Sequence, residues 1–97
     1  MQKNSDLDFL FEAILTLKSV DECYLFFEDV CTIKELQAMA QRFRVAAQLS
    51  DNKNYNEIQL STGASSATIS RVNKCLLYGS GGYATALERM GKEQDDG

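Results

Sequence analysis

The chain has 97 residues, enough for one domain near the lower limit of independent folding. It holds no histidine, and its three cysteines (Cys23, Cys31, Cys75) form no C-x-x-C pair, which argues against a zinc site and against imidazole catalysis. The net charge is −4, no secretion signal is visible, and no apolar run approaches the roughly 18 residues of a membrane span, so a cytoplasmic chain with reduced thiols and no membrane contact is expected.

The spacing of caps and apolar residues predicts an all-α fold with no strand. A first helix is expected over about Asp6–Leu17, opened weakly by Ser5 with Asp8, with Leu7, Leu10, Phe11, Ile14 and Leu17 on one stripe. Ser19-Val-Asp-Glu22 has the capping-box spacing and opens a second helix over about Val20–Val30. Thr32-Ile-Lys-Glu35 repeats the signal for a third and longest helix, Ile33–Ser50, whose apolar residues are Leu36, Met39, Ala40, Phe43, Ala46, Ala47 and Leu49. Ser50–Asn54 reads as a polar loop, and Asn54 with Glu57 is a looser box opening the next helix. A short last helix covers about Tyr83–Met90 after Gly79-Ser-Gly-Gly82, and the acidic tail 91–97 is expected to be disordered.

Between that loop and those glycines lies Tyr55–Leu76, YNEIQLSTGASSATISRVNKCL, which fits two short helices joined at Gly63. Ile58 precedes the glycine by five positions, Ala64 follows it directly, and Ile69 and Val72 come six and nine after it. That is the apolar spacing of a helix-turn-helix, here over 54–78, with glycine at the turn because φ > 0 costs a residue with a side chain roughly 1 kcal/mol or more. An ordinary helical hairpin with a chance glycine is the plain alternative. The second helix favours DNA: it is rich in small hydroxyl residues (Ser65, Ser66, Thr68, Ser70) and carries Arg71 and Lys74.

Charge is distributed unevenly. Residues 1–33 carry Lys3 and Lys18 against seven acids, whereas residues 34–78 carry six cations (Lys34, Arg42, Arg44, Lys53, Arg71, Lys74) against Glu35, Asp51 and Glu57. The helix-turn-helix thus sits in the only positive third, and local sign governs phosphate attraction over a Debye length of about 8–10 Å. The excess is small, which predicts weak non-specific binding and two copies on one site. The first two helices also carry aromatics off any single stripe (Phe9, Tyr24, Phe26, Phe27), more than a chain this short can cover, so a homodimer is expected over a monomer with exposed aromatics.

With Ile69, Val72 and Leu76 inward at about 100° per residue, Ala67, Arg71, Lys74 and Tyr78 point outward with Ser70 beside them. Ser65 and Ser66 lie at the helix N-terminus, where free N–H groups favour a phosphate, although a capping role alone would also explain them. Ala67 suits a thymine methyl, and Arg71 and Lys74 suit guanine or phosphate; a merely solvated Arg71 is the competing account. Tyr55, Asn56 and Gln59 avoid the Ile58 face and are candidate backbone contacts.

The run TGASSATISRVNKCLLYG, with AQRFRVAAQL before it and DECYLFFEDVCTIKEL earlier, resembles the Trp repressor superfamily, specifically its YerC/YecD branch, over roughly residues 5–90. The resemblance implies an intertwined homodimer whose N-terminal helices (1–33) interlock, followed by a central helix (34–50). Its two reading helices meet successive major grooves of a near-palindromic operator in double-stranded DNA. It further implies a nucleoid-associated repressor of amino-acid biosynthesis genes, histidine rather than tryptophan. The Trp repressor holds tryptophan between two arginines, which Arg42 and Arg71 match. The glycine that leaves room for the indole is replaced by Val72, and the pocket serine by Cys75, so tryptophan is not expected as effector and an unknown small molecule stays open. Asn56 stands where the Trp repressor has a base-contacting arginine, so a different operator is expected. The alternative function is a protein-interaction adaptor with a vestigial helix-turn-helix and non-specific DNA binding, motivated by the acidic total. No paired carboxylates beside a glycine loop and no phosphate-cradling motif occur, so neither an enzyme nor a cofactor is expected.

Overall fold

A computed structural model describes residues 1–96, with side chains described as far as Gly91. Six helices appear in order: α1 (Ser5–Ile14), α2 (Val20–Val30), α3 (Ile33–Ser50), α4 (Tyr55–Thr62), α5 (Ser66–Tyr78) and α6 (Gly82–Asp96), with no strand among the described residues. No helix there is long and apolar enough to cross a membrane. The chain divides into two compact units, Met1–Leu36 and Gln37–Gly97.

Local hydrogen bonds account for the helix starts. Thr32 and Glu35 form a reciprocal box: the Glu35 N–H donates to Thr32 Oγ1 at 3.1 Å, and the Thr32 N–H donates to Glu35 Oε1 at 2.8 Å. Hydrogen bonding to the Thr32 backbone N–H first, and to the Thr32 side chain second, holds the Glu35 carboxyl below its ordinary pKa. Ser19 caps α2 through the Glu22 N–H, and Glu22 reaches back one residue further, to the Lys18 N–H. Asn54 caps α4 through the Glu57 N–H at 2.9 Å, and its amide meets Glu57 Oε1 at 3.2 Å.

Two boundaries differ from expectation. Asn4, not Ser5, caps α1, its side chain accepting from the Leu7 N–H. That helix ends at Ile14 because the Thr16 and Leu17 N–H groups bond three residues back, to Ala13 and Ile14, and the tightened turn leads the chain to the Ser19 cap. At the other end α6 runs past Met90; the expected disordered tail falls on Gly97 and on the side chains of 92–96, which lie outside the described residues.

The first unit, α1, α2 and the opening turn of α3, contains no buried residue. Its expected stripe is at most half-buried at Leu7, Leu10, Ile14 and Leu17, and Phe11 is exposed. Phe26 and Phe27 meet edge to face at 5.3 Å, near a shallow apolar depression of about 230 Å³ lined by Val20, Cys23, Tyr24, Phe27 and Leu36.

The second unit has a core: Val45, Ala46, Ile58, Ala64, Ile69 and Val72, with Leu49, Leu76, Tyr83 and Leu87 packed against it. Two of the residues expected as core of the third helix are displaced from that role. Met39 and Ala40 are exposed, and Ala40, Phe43 and Ala47 line an open groove of about 400 Å³ with Leu87 and Met90. Ala46 is buried as expected, with Leu49 packed against the core, but its buried neighbour is Val45, outside the expected set, because Ile58, Ile69 and Val72 of α4 and α5 pack on that side. The Phe43 and Tyr83 rings lie 6.2 Å apart and tie α3 to α6.

Candidate nucleic-acid interface

α3 ends in a way that aims α4. The Lys53 N–H bonds to the Gln48 carbonyl and the Asn52 N–H to that of Leu49, with Asn52 at φ 63. This is a Schellman motif with asparagine in the left-handed position, the residue type besides glycine that tolerates it best. Asn54 starts α4 two residues later.

α4 stops at Gly63, whose φ of 73 and N–H bond to the Gln59 carbonyl close the helix. The turn is braced by Thr62, whose hydroxyl donates to the Ile58 carbonyl at 2.6 Å and accepts from the Ala64 N–H at 3.1 Å. Ser65 then caps α5: its Oγ accepts from the Thr68 N–H at 3.1 Å and donates to Thr68 Oγ1 at 3.1 Å. At the far end, the Gly79 N–H bonds to the Cys75 carbonyl at 2.8 Å. A Cβ at position 79 would run into that carbonyl, so glycine is required there by close approach.

All four residues of the sequence spacing are interior: Ile58 and Ile69 at 0 % exposure, Val72 at 1 % and Ala64 at 4 %. Burying an Ile or Val of this kind stabilises by about 1.5–3 kcal/mol each, which holds two helices of eight and thirteen residues that would be marginal alone. The opposite face of α5 is free: Ser65, Ser66, Ala67, Ser70, Arg71 and Lys74 are exposed, as is Tyr78. Thr68 is half-buried and engaged with Ser65. On α4, Tyr55 and Asn56 are exposed and Gln59 is half-buried. Neither Arg71 nor Lys74 is paired with an acid among the described residues, so both cations are available to an anionic partner.

The residues matched to an effector pocket divide. Arg42, Arg71 and Cys75 are exposed, whereas Val72 is committed to the core beside Val45, Ile58 and Ile69. No group of three or more metal-binding side chains occurs among the described residues.

Sequence reasoning missed how α3 grips the unit. Gln41 Nε2 donates to the Thr62 carbonyl at 3.2 Å, and the Ser61 hydroxyl donates to Gln48 Oε1 at 2.7 Å. Gln41, Val45 and Gln48 recur at four and then three residues, one helical face. That periodicity was readable, but two polar residues flanking a valine look like a solvated stripe.

Comparison with known proteins places these features in context. The model of the family described as Trp repressor protein matches residues 5–91. A Bacillus subtilis (strain 168) protein, "Uncharacterized protein YerC", is 51% identical over 88 residues, covering 91% of this chain and 85% of its own. The crystal structure of a TrpR like protein from Eubacterium eligens ATCC 27750 is similar at TM-score 0.89 and 53% identity, covering 92% of each chain. A second solved structure, from Staphylococcus aureus, has TM-score 0.89 and 45% identity, over 92% of this chain and 89% of that one.

Proposed function

The chain belongs to the Trp repressor protein family, and from that membership we propose that it is a sequence-specific transcriptional repressor acting as a homodimer on a near-palindromic operator. The family is one of DNA-binding regulators, not of enzymes. The observation that carries the reading is the two-sidedness of α5. One face is buried at Ile69 and Val72, and the other presents Ser65, Ser66, Ala67, Ser70, Arg71 and Lys74 to solvent, with neither cation paired to an acid among the described residues.

In this reading the α5 helices of two copies enter major grooves one turn apart, about 34 Å along the duplex. The N–H groups at the start of α5 and the Ser65 and Ser66 hydroxyls meet phosphate, and Ala67 lies against a thymine methyl. Thr68 braces the Ser65 end of that contact. Arg71 and Lys74 reach guanine or phosphate, and Tyr55, Asn56 and Gln59 on α4 touch the backbone. The genes controlled are those of amino-acid biosynthesis, histidine rather than tryptophan, and the protein acts in the cytoplasm, on the nucleoid.

Tryptophan is not its effector. Val72 lies in the core, its β-branch restricts χ1 on a helix, and displacing it would overpack the unit at about 1–3 kcal/mol. A ligand must favour the DNA-competent state to act as corepressor, so a filled pocket removes that lever. Any effector that meets Arg42, Arg71 and Cys75 is therefore of another shape. Calorimetry with millimolar tryptophan is expected to show no saturable heat, and operator affinity is expected to be the same with and without it. Micromolar binding coupled to tighter operator binding would overturn this.

Selection of bound fragments from a random duplex pool tests the main proposal. A recurring two-fold-related site is expected. Arg71→Ala and Lys74→Ala should then weaken binding while helix content and self-association stay unchanged. A guanine contact costs about 1–3 kcal/mol at one base position, and a phosphate contact lowers affinity uniformly and reduces the salt slope by about one. DNA affinity with no base preference would favour the adaptor instead, a reading supported by the −4 charge of the chain.

A further inference from the structure

We propose that Gln41 is a positioning residue for DNA reading, fixing the rotation of the α4–turn–α5 unit on α3 through its bond to the Thr62 carbonyl; the inference rests on the DNA-binding reading above.

α4 has eight residues, too few to hold an orientation by itself, so its attitude is set by what it packs on. Its apolar contacts through Ile58 and Val45 supply attraction, but burial is non-directional and tolerates rocking. A hydrogen bond is directional and resists it. Inside the turn, the Thr62 hydroxyl is already engaged with Ile58 and Ala64. The Thr62 carbonyl, the last of α4, has no helical donor ahead of it, and Gln41 Nε2 meets it at 3.2 Å in a part-buried setting. A carbonyl can only accept, so the amide N–H of Gln41 must be the group facing it.

The bond sits just ahead of α5, so an error there is magnified along the reading face. Lys74 lies roughly 12 Å along α5 from its first residue, and a tilt of about 5° moves it by about 1 Å. Recognition geometry tolerates about half an ångström. The Gln48–Ser61 bond, two helical turns along the same face of α3, is exposed, where water competes for both partners. It also has the opposite polarity: Ser61 donates and Gln48 accepts.

That difference in polarity provides the test. Gln41→Glu and Gln48→Glu make the same change of charge and shape, but a carboxylate at 48 still accepts from Ser61, whereas one at 41 cannot donate and repels the carbonyl. Each variant is titrated, beside wild type, with the duplex the wild type selects and with a random duplex. At pH 7.5, Gln41→Glu should lose about tenfold in discrimination between the two, with Gln48→Glu near wild type. Uncharged Gln41→Met should lose discrimination as well. Acidification toward about pH 5.5 should restore it in Gln41→Glu alone, because a carboxyl facing a carbonyl has its pKa raised above the usual ~4.3 and donates once protonated. Equal discrimination in the two Glu variants, or a loss in Gln41→Glu that acidification leaves unchanged, overturns the proposal. A wild type that selects no sequence overturns the DNA-binding reading instead. Amide exchange over residues 62–68 of the free protein then decides this inference: faster in Gln41→Glu than in Gln48→Glu supports it, and equal rates overturn it.

Discussion

The two compact units of this chain are made from similar helices and differ in what they bury. Among its described residues, Gln37–Gly97 encloses six, four of them within α4, the turn and α5. Met1–Leu36 encloses none, although Phe9, Leu15, Val20, Tyr24 and Leu25 are all large, apolar and 61–83 % exposed. The first unit nevertheless has complete local chemistry, with caps at Asn4, Ser19 and Thr32. Capping satisfies backbone groups within four residues and needs nothing from the rest of the chain, whereas burial needs a second surface. Helices of ten and eleven residues with no core are marginal in water, so the first unit is expected to gain its cover from a second copy.

The comparison breaks most severely at the core of the second unit. Ile69→Ala removes a side chain with no exposure, and a loss of about 2–5 kcal/mol in urea unfolding is expected, out of the roughly 5–15 kcal/mol of a whole domain. Operator binding should fall with it. A change under about 1 kcal/mol would mean that this core does not hold the unit together.

Leu25→Ser probes the other unit. Leu25 is 67 % exposed in the single chain, so the substitution should cost little within it. In a dimer that covers it, about 1.5–3 kcal/mol is lost per copy, and sedimentation should show dissociation at concentrations where wild type stays associated. A folded wild-type monomer at micromolar concentration would remove both the dimer and the two-fold operator.

The smallest expected effect sharpens the claim that the first unit is locally complete. Thr32→Ala should destabilise α3 by about 1 kcal/mol, typical of an N-cap. Glu35 adds a pH dependence. Its folded pKa is depressed, so its contribution is fully present above the ordinary glutamate value and is lost as pH falls through the folded value. Stability followed from neutral pH down through the carboxylate range should decline less steeply in Glu35→Gln than in wild type. Parallel curves would show that the box contributes nothing.

Most of the helix-turn-helix was legible in the sequence because its signals are local. The positive φ at Gly63 and the interior places of Ile58, Ala64, Ile69 and Val72 follow from spacing across one turn. The starts of α2 and α3 follow from caps at Ser19 and Thr32 that close within three residues. Less was legible where two signals compete within one turn. Asn4 and Ser5 are both cap types, and the choice between them rests on which side chain reaches a free N–H.

The sequence by itself determined where each helix from α2 to α5 begins and which faces of α4 and α5 turn inward, since backbone hydrogen bonds and helical periodicity act over a few residues. Only the tertiary structure decided which side of α3 those faces meet. α3 offers two apolar stripes, one through Ala40, Phe43 and Ala47 and one through Val45, Ala46 and Leu49, and periodicity scores them alike. Packing chose the second, leaving the first lining a groove and bringing Gln41 to the carbonyl of Thr62, 21 positions away, where no local rule reaches.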